Sequence, residues 1–193
     1  EATDFTTGAT LLYHKEEDFE NGVVNLDLEL VNDQNYTVLF WAQVGETNEA
    51  YDVTDLTNVT VKSGLKANQE SYAAFSGVDF IVEGKDLAGR KVTLKRPISQ
   101  INIATTPGSL TAFEDDVVLK GSSVTVAGLS NSFNVATQAP GAEMTTTYEF
   151  AKQAVPAHTL EVNAENYPYV AMNYVGFADA LGTNVKVSYV INT

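Results

Sequence analysis

Carboxylates are the side chains of this sequence whose number and grouping first suggest chemistry. Glu16, Glu17, Asp18 and Glu20 stand beside a turn signal, Asp52 and Asp55 lie three apart, and Glu114, Asp115 and Asp116 are consecutive. Two carboxyls facing each other at about 5–9.5 Å could hydrolyse a glycoside. A calcium ion would need about six to eight oxygens converging on one point. None of the runs has the Asp-x-Asp-x-Asp-Gly spacing that supplies those oxygens from one loop, so each reads as a solvated acidic loop. The two histidines, His14 and His158, are far apart in the chain. A lone imidazole is more often a surface or internally satisfied group than a base or a ligand. No Gly-x-Ser-x-Gly elbow, phosphate-binding glycine loop or His-Glu-x-x-His pair occurs. No catalytic, cofactor-binding or metal-ligating residue is therefore assigned, and neither enzyme activity nor a cofactor is expected.

Aromatic and guanidinium groups are the remaining candidates. Trp41 lies inside Tyr36-Thr-Val-Leu-Phe-Trp-Ala-Gln43, the most apolar run of the chain, where burial in a core explains it better than a sugar-stacking role. Tyr13, Tyr51, Tyr72 and the pair Tyr167 and Tyr169 around Pro168 are less enclosed and keep a glycan-binding role open. Arg96 precedes Pro97 at a strand junction. A planar guanidinium there is expected to clamp carbonyls or a carboxylate rather than hold a ligand.

The elements that must position these groups follow from composition and periodicity. Hydrophobic residues make up 44% of the 193 and aromatics 10%, enough for a real core. The net charge is −14, and both halves of the chain are acidic, so no basic face is expected to neutralise phosphates. Nucleic acid and anionic lipid are poor partners for such a surface. Cysteine is absent, which excludes disulfides and thiolate metal sites. No apolar run is long enough for a membrane-spanning helix. The opening residues Glu1-Ala2-Thr3-Asp4 include no initiator Met and no signal segment, so a mature or trimmed chain is expected.

Strand signals dominate. Val24, Leu26, Leu28 and Leu30 alternate with polar residues, the period of a strand with one wet face. Tyr36–Gln43 is apolar on both faces and is expected to be a central strand. Further strands are expected at residues 92–94, 98–103, 117–119, 123–126, 145–150, 159–162, 169–175 and 185–191. Pro97 lacks an N–H and marks an edge, a bulge or a strand start. Gly, Pro, Asn and Asp punctuate the intervals, including Glu20-Asn21-Gly22 and Ala139-Pro-Gly141. Two short helices are possible, at 68–75 and 109–114. Many short strands at this spacing indicate all-β sandwiches. The Thr-Thr-Pro-Gly segment at 105–108 suggests a boundary, giving one sandwich over 1–106 and a second over 107–193.

Several segments resemble the fimbrillin superfamily of Bacteroidetes surface proteins. They are Tyr36–Gln43, residues 51–59, Ala74 with Phe75, Phe133 to Val135, and residues 167–174. The most specific is Leu94-Lys-Arg96-Pro97-Ile-Ser-Gln100-Ile-Asn102, which looks like a Leu-x-Arg-Pro-x-x-Gln-Ile/Leu-Asn pattern of that family. Trp41, Arg96, Pro97, Gln100 and Asn102 are thereby identified as the structural motif. The resemblance implies two transthyretin-like Greek-key sandwiches, export as a lipoprotein, and display in a fimbrium or at the outer membrane. It implies a structural or adhesive pilus subunit that joins other subunits by exchange of terminal strands and contacts host or bacterial surface glycans or proteins. In this light the second sandwich is expected to be short of its last strand or strands. A cell-surface carbohydrate-binding module is the alternative.

Overall fold

Alternating apolar side chains set the architecture of the computed structural model, which describes residues 17–44, 50–66, 69–83, 88–106, 121–141, 146–153, 159–177 and 185–192. The described residues form twelve strands and one 3-10 turn, Glu70–Tyr72. In chain order the strands are β1 (Tyr36–Gln43), β2 (Tyr51–Asp52), β3 (Val59–Val61), β4 (Ala74–Ile81), β5 (Ser99–Ala104) and β6 (Gly121–Leu129). They continue as β7 (Ser132–Asn134), β8 (Ala139–Pro140), β9 (Thr146–Gln153), β10 (Thr159–Val162), β11 (Glu165–Val175) and β12 (Lys186–Asn192). They pair antiparallel in four sheets, ordered β1-β4, β10-β11-β5, β12-β6-β9 and β2-β3-β7-β8. The chain is all-β.

β1 explains its own composition. Tyr36, Val38 and Phe40 point to one face and cluster with Ile81, Leu28 and Leu30. Leu39 and Trp41 point to the other and pack on a larger core. Both faces are covered, yet β1 has one partner strand, β4, among the described residues, so the expected central position is not what covers it. Covering comes instead from residues 24–30. Their burial alternates as the sequence suggests, but they form no ladder. The Tyr36 hydroxyl holds the end of this segment, accepting from the Val31 N–H at 2.9 Å and donating to the Val31 carbonyl at 3.1 Å.

Two sheets pack face to face. Val124, Val126 and Leu129 of β6 bury against Val175 of β11 and Ile101 of β5, and the buried Ser122 hydroxyl donates to the Val170 carbonyl at 3.0 Å. The largest core joins Tyr51, Val59, Tyr72 and Ile98 to Phe133, Val135, Tyr174 and Phe177. Ladders also cross residue 106: β5 pairs with β11, and β3 with β7. The two stretches on either side of that residue are thus tied by hydrogen bonds and by one aromatic cluster.

Three local expectations are corrected. Residues 69–75 give a single 3-10 turn and the start of β4 rather than a helix, because Tyr72, Ala73 and Ala74 bury into the core at consecutive positions that no single helix face provides. Ala139 and Pro140 form the short edge strand β8 against β7 instead of a turn. Residues 92–94 are extended without a ladder; only Lys95 bridges to Ser76 of β4, with N···O distances of 2.8 and 2.9 Å. The expected elements at 109–114 and 117–119 lie outside the described residues, as do His14 and His158.

Gly77 makes room for the 90–96 segment. A Cβ there would sit 2.7 Å from Leu94 Cδ2 and 3.2 Å from Val92 Cγ1. Arg90 anchors the segment's start, donating from Nε and Nη2 to the Asp79 carboxylate and from Nη2 to the Phe80 carbonyl at 2.6 Å. These hydrogen bonds hold the Asp79 carboxyl below the usual carboxylate range, outweighing its partial burial. A depressed folded-state value stabilises the protein above the ordinary value of 3.8, and the contribution is lost as pH falls through the depressed one. Asp79→Asn should therefore cost less than about 1 kcal/mol near neutral pH and less still near pH 2, below the ordinary value of 3.8. Urea midpoints of both proteins at the two pH values check this; a gap that widens on acidification would contradict it.

Candidate functional site

Antiparallel register places the motif residues. Gln100 stands opposite Tyr174 and Asn102 opposite Met172, on one face of the β5–β11 pair, while Ile101 and Asn173 share the other face. Pro97 lies two residues before β5, where its missing N–H costs no ladder bond. Arg96 is exposed. Its guanidinium carbon lies 5.2 Å from the centroid of the Phe75 ring, and Nη1 donates to the Tyr174 hydroxyl at 3.4 Å. Asn102 Nδ2 donates to the Tyr169 hydroxyl at 3.3 Å, while Asn102 Oδ1 is buried without a partner. Arg96, Gln100 and Asn102 thus run along one face beside two tyrosines of β11.

Trp41 belongs to a neighbouring strand. It stands opposite Ser76 of β4, and Lys95 bridges to the same Ser76 from the other side. Its ring is half-buried, edge-on to Tyr51 at 5.4 Å, and its Nε1–H donates to Gln43 Oε1 at 2.8 Å. Trp41 of β1 and the bridging Lys95 therefore meet on either side of Ser76, near the start of β4. The partners Phe75, Tyr169 and Tyr174 complete the array, but they lie up to 78 residues from their contacts in sequence. Only the two-residue spacing of Gln100 and Asn102, which puts both on one strand face, could be read locally.

The acidic groups do different work. Asp52 Oδ1 accepts from the Thr54 N–H and hydroxyl at 3.1 and 2.6 Å, and Asp55 Oδ1 accepts from the same two groups of Thr57 at 2.8 and 2.7 Å. Each closes a tight turn leading towards β3, and the Thr54 hydrogen bonds lower the Asp52 pKa. Glu17, Asp18 and Glu20 are exposed, and Glu16 and Glu114 to Asp116 lie outside the described residues. Among the described residues no three His, Cys, Asp or Glu side chains group as metal ligands would.

Chemically, the motif face offers a fixed guanidinium, two amides and phenol hydroxyls, which bind and orient. Arg96→Lys keeps the charge but loses the guanidinium placed over Phe75, and should lower stability by about 0.5–1 kcal/mol. An unchanged urea midpoint would show that this contact carries no structural weight.

A family model described as a family of unknown function (DUF6562) matches residues 5–192. No curated protein and no solved structure matches the chain.

Proposed function

We propose that this chain, which belongs to the DUF6562 family of unknown function, is a structural and adhesive subunit of a bacterial surface fimbria. The reading includes export as a lipoprotein, a place at the cell surface or outer membrane, and a non-enzymatic role. Its partners would be other subunits, joined by exchange of terminal strands, and surface glycans or proteins rather than nucleic acid. The finer fold that goes with it is a Greek-key arrangement of transthyretin-like type, in two sandwiches that share the aromatic core.

One observation carries the reading furthest beside the motif resemblance. β12 pairs with β6 on one side, and no described strand lies on its other side. Val187 and Val190 of β12 are exposed, at 46% and 53%. An apolar strand with an open edge is a template for an extended segment of another chain. Head-to-tail repetition of such a contact need not close on itself, and an open repeat is a filament.

A second reading, a surface carbohydrate-binding module, is favoured by β11. Tyr167 and Tyr169 project from one strand face and are half-buried. The Tyr167 hydroxyl donates to Glu165 Oε2 at 2.9 Å, which fixes the ring and raises its pKa. Electron microscopy of cells producing the full-length protein, together with a glycan array, separates the two. Filaments containing the protein support the fimbrial role. A monomer that binds glycans selectively, and loses that binding in Tyr167→Ala and Tyr169→Ala, supports the module.

A further inference from the structure

Residues 90–96 contain four of the chain's eleven basic side chains and no acidic one. The rest of the chain carries all 25 acidic side chains and only seven basic ones. Val92 and Leu94 face Gly77, so alternation turns Lys91, Thr93 and Lys95 the other way, where all three are exposed. Neighbours on that face stand about 6.5–7 Å apart along an extended backbone. Arg90 is engaged with Asp79, but Lys91, Lys95 and Arg96 pair with no carboxylate among the described residues. Arg96 is nevertheless held in place by Phe75 and Tyr174, so its planar fork needs little ordering before it meets an acceptor. The backbone of residues 91–94 makes no hydrogen bond to another described residue.

We propose that residues 90–96 are a docking surface for an extended, carboxylate-rich segment of another polypeptide. Lys91 and Lys95 take carboxylates four positions apart on the incoming segment, Arg96 takes one more through its fork, and the peptide groups of 91–94, which bond to no other described residue, pair with its backbone. Charge selects the class of partner. A long polyphosphate or an anionic membrane is repelled by the chain's net charge of −14, whereas a short acidic segment can engage the basic ridge alone. The surface does not require the chain to be a fimbrial subunit.

The probe is a fluorescent peptide of alternating glutamate and threonine, titrated against the 193-residue chain by anisotropy at about 20 mM salt, where screening is weak. The peptide should bind and its glutamine counterpart should not. Lys91→Gln with Lys95→Gln should weaken binding at least about tenfold, and Arg96→Gln should weaken it separately. Because Lys91 and Lys95 are exposed, the double variant should keep the wild-type unfolding midpoint. Binding that is absent, or unchanged in both variants, overturns the proposal. So does tighter binding of a sulfated oligosaccharide, single-stranded DNA or phosphatidylserine vesicles through the same residues.

Discussion

Phe177→Ala should lower the unfolding free energy by about 3–5 kcal/mol, a large share of the ~5–15 kcal/mol typical of a folded domain. Phe177 is fully buried. Its ring stacks on Phe133 at 5.1 Å and meets Tyr51 at 6.5 Å, while its backbone bridges to Ser130 with N···O distances of 2.9 Å in both directions. Tyr51 in turn donates its hydroxyl to the Tyr72 carbonyl at 2.6 Å and touches Trp41. Removing the ring leaves a cavity between groups held by ladders on both sides, so collapse relieves little of the cost. Because Trp41 reports on this cluster, its fluorescence and far-UV circular dichroism should fall in one coincident urea transition, shifted to lower urea in the variant. Two separated transitions would mean that the stretches before and after residue 106 unfold independently.

Asn173→Leu should have the opposite sign. Asn173 is buried on the β11 face that packs towards β6, and neither its Oδ1 nor its Nδ2 finds a hydrogen-bond partner. An orphaned buried polar group costs about 1–3 kcal/mol, and an apolar side chain of similar size removes that cost. Val175 and Ile101 beside it already line an apolar layer, and asparagine is a poor strand residue. The variant should therefore be about 1–3 kcal/mol more stable, read as a higher urea midpoint at unchanged slope. A lower midpoint would show that Asn173 has a partner in solution worth keeping.

Legibility followed signal length. β1 and β10 fall on the bounds read from sequence, because each is a continuous strand-forming run between turn residues. The turn at Asn21 and Gly22 was legible too: both have positive φ, 54° and 77°, and Glu20 and Val23 pair across it. β4 was hidden because Gly77 and Asp79 interrupt its apolar run, while its first residues follow the helix-forming Gln69 and Glu70. β2, β3, β7 and β8 span only two or three residues, too few to display a period. The shared face of Gln100 and Asn102 could be counted from their spacing. Their pairing with β11 could not, since no local pattern encodes a contact made some 70 residues away.

The fimbrial reading turns on the edge of β12, and a paired substitution tests it most directly. Ser188→Lys with Val190→Lys places two charges on the exposed face of this edge strand, opposite Thr125 and Ser123 and away from the buried Val124 and Val126, a device that blocks strand addition without touching the core. The full-length exported protein should form filaments or strand-swapped oligomers visible by electron microscopy. The double variant should remain monomeric while its unfolding midpoint stays within about 0.5 kcal/mol of wild type. Filaments formed equally well by the variant, or a wild-type protein that stays monomeric on the cell surface, would contradict assembly through this strand.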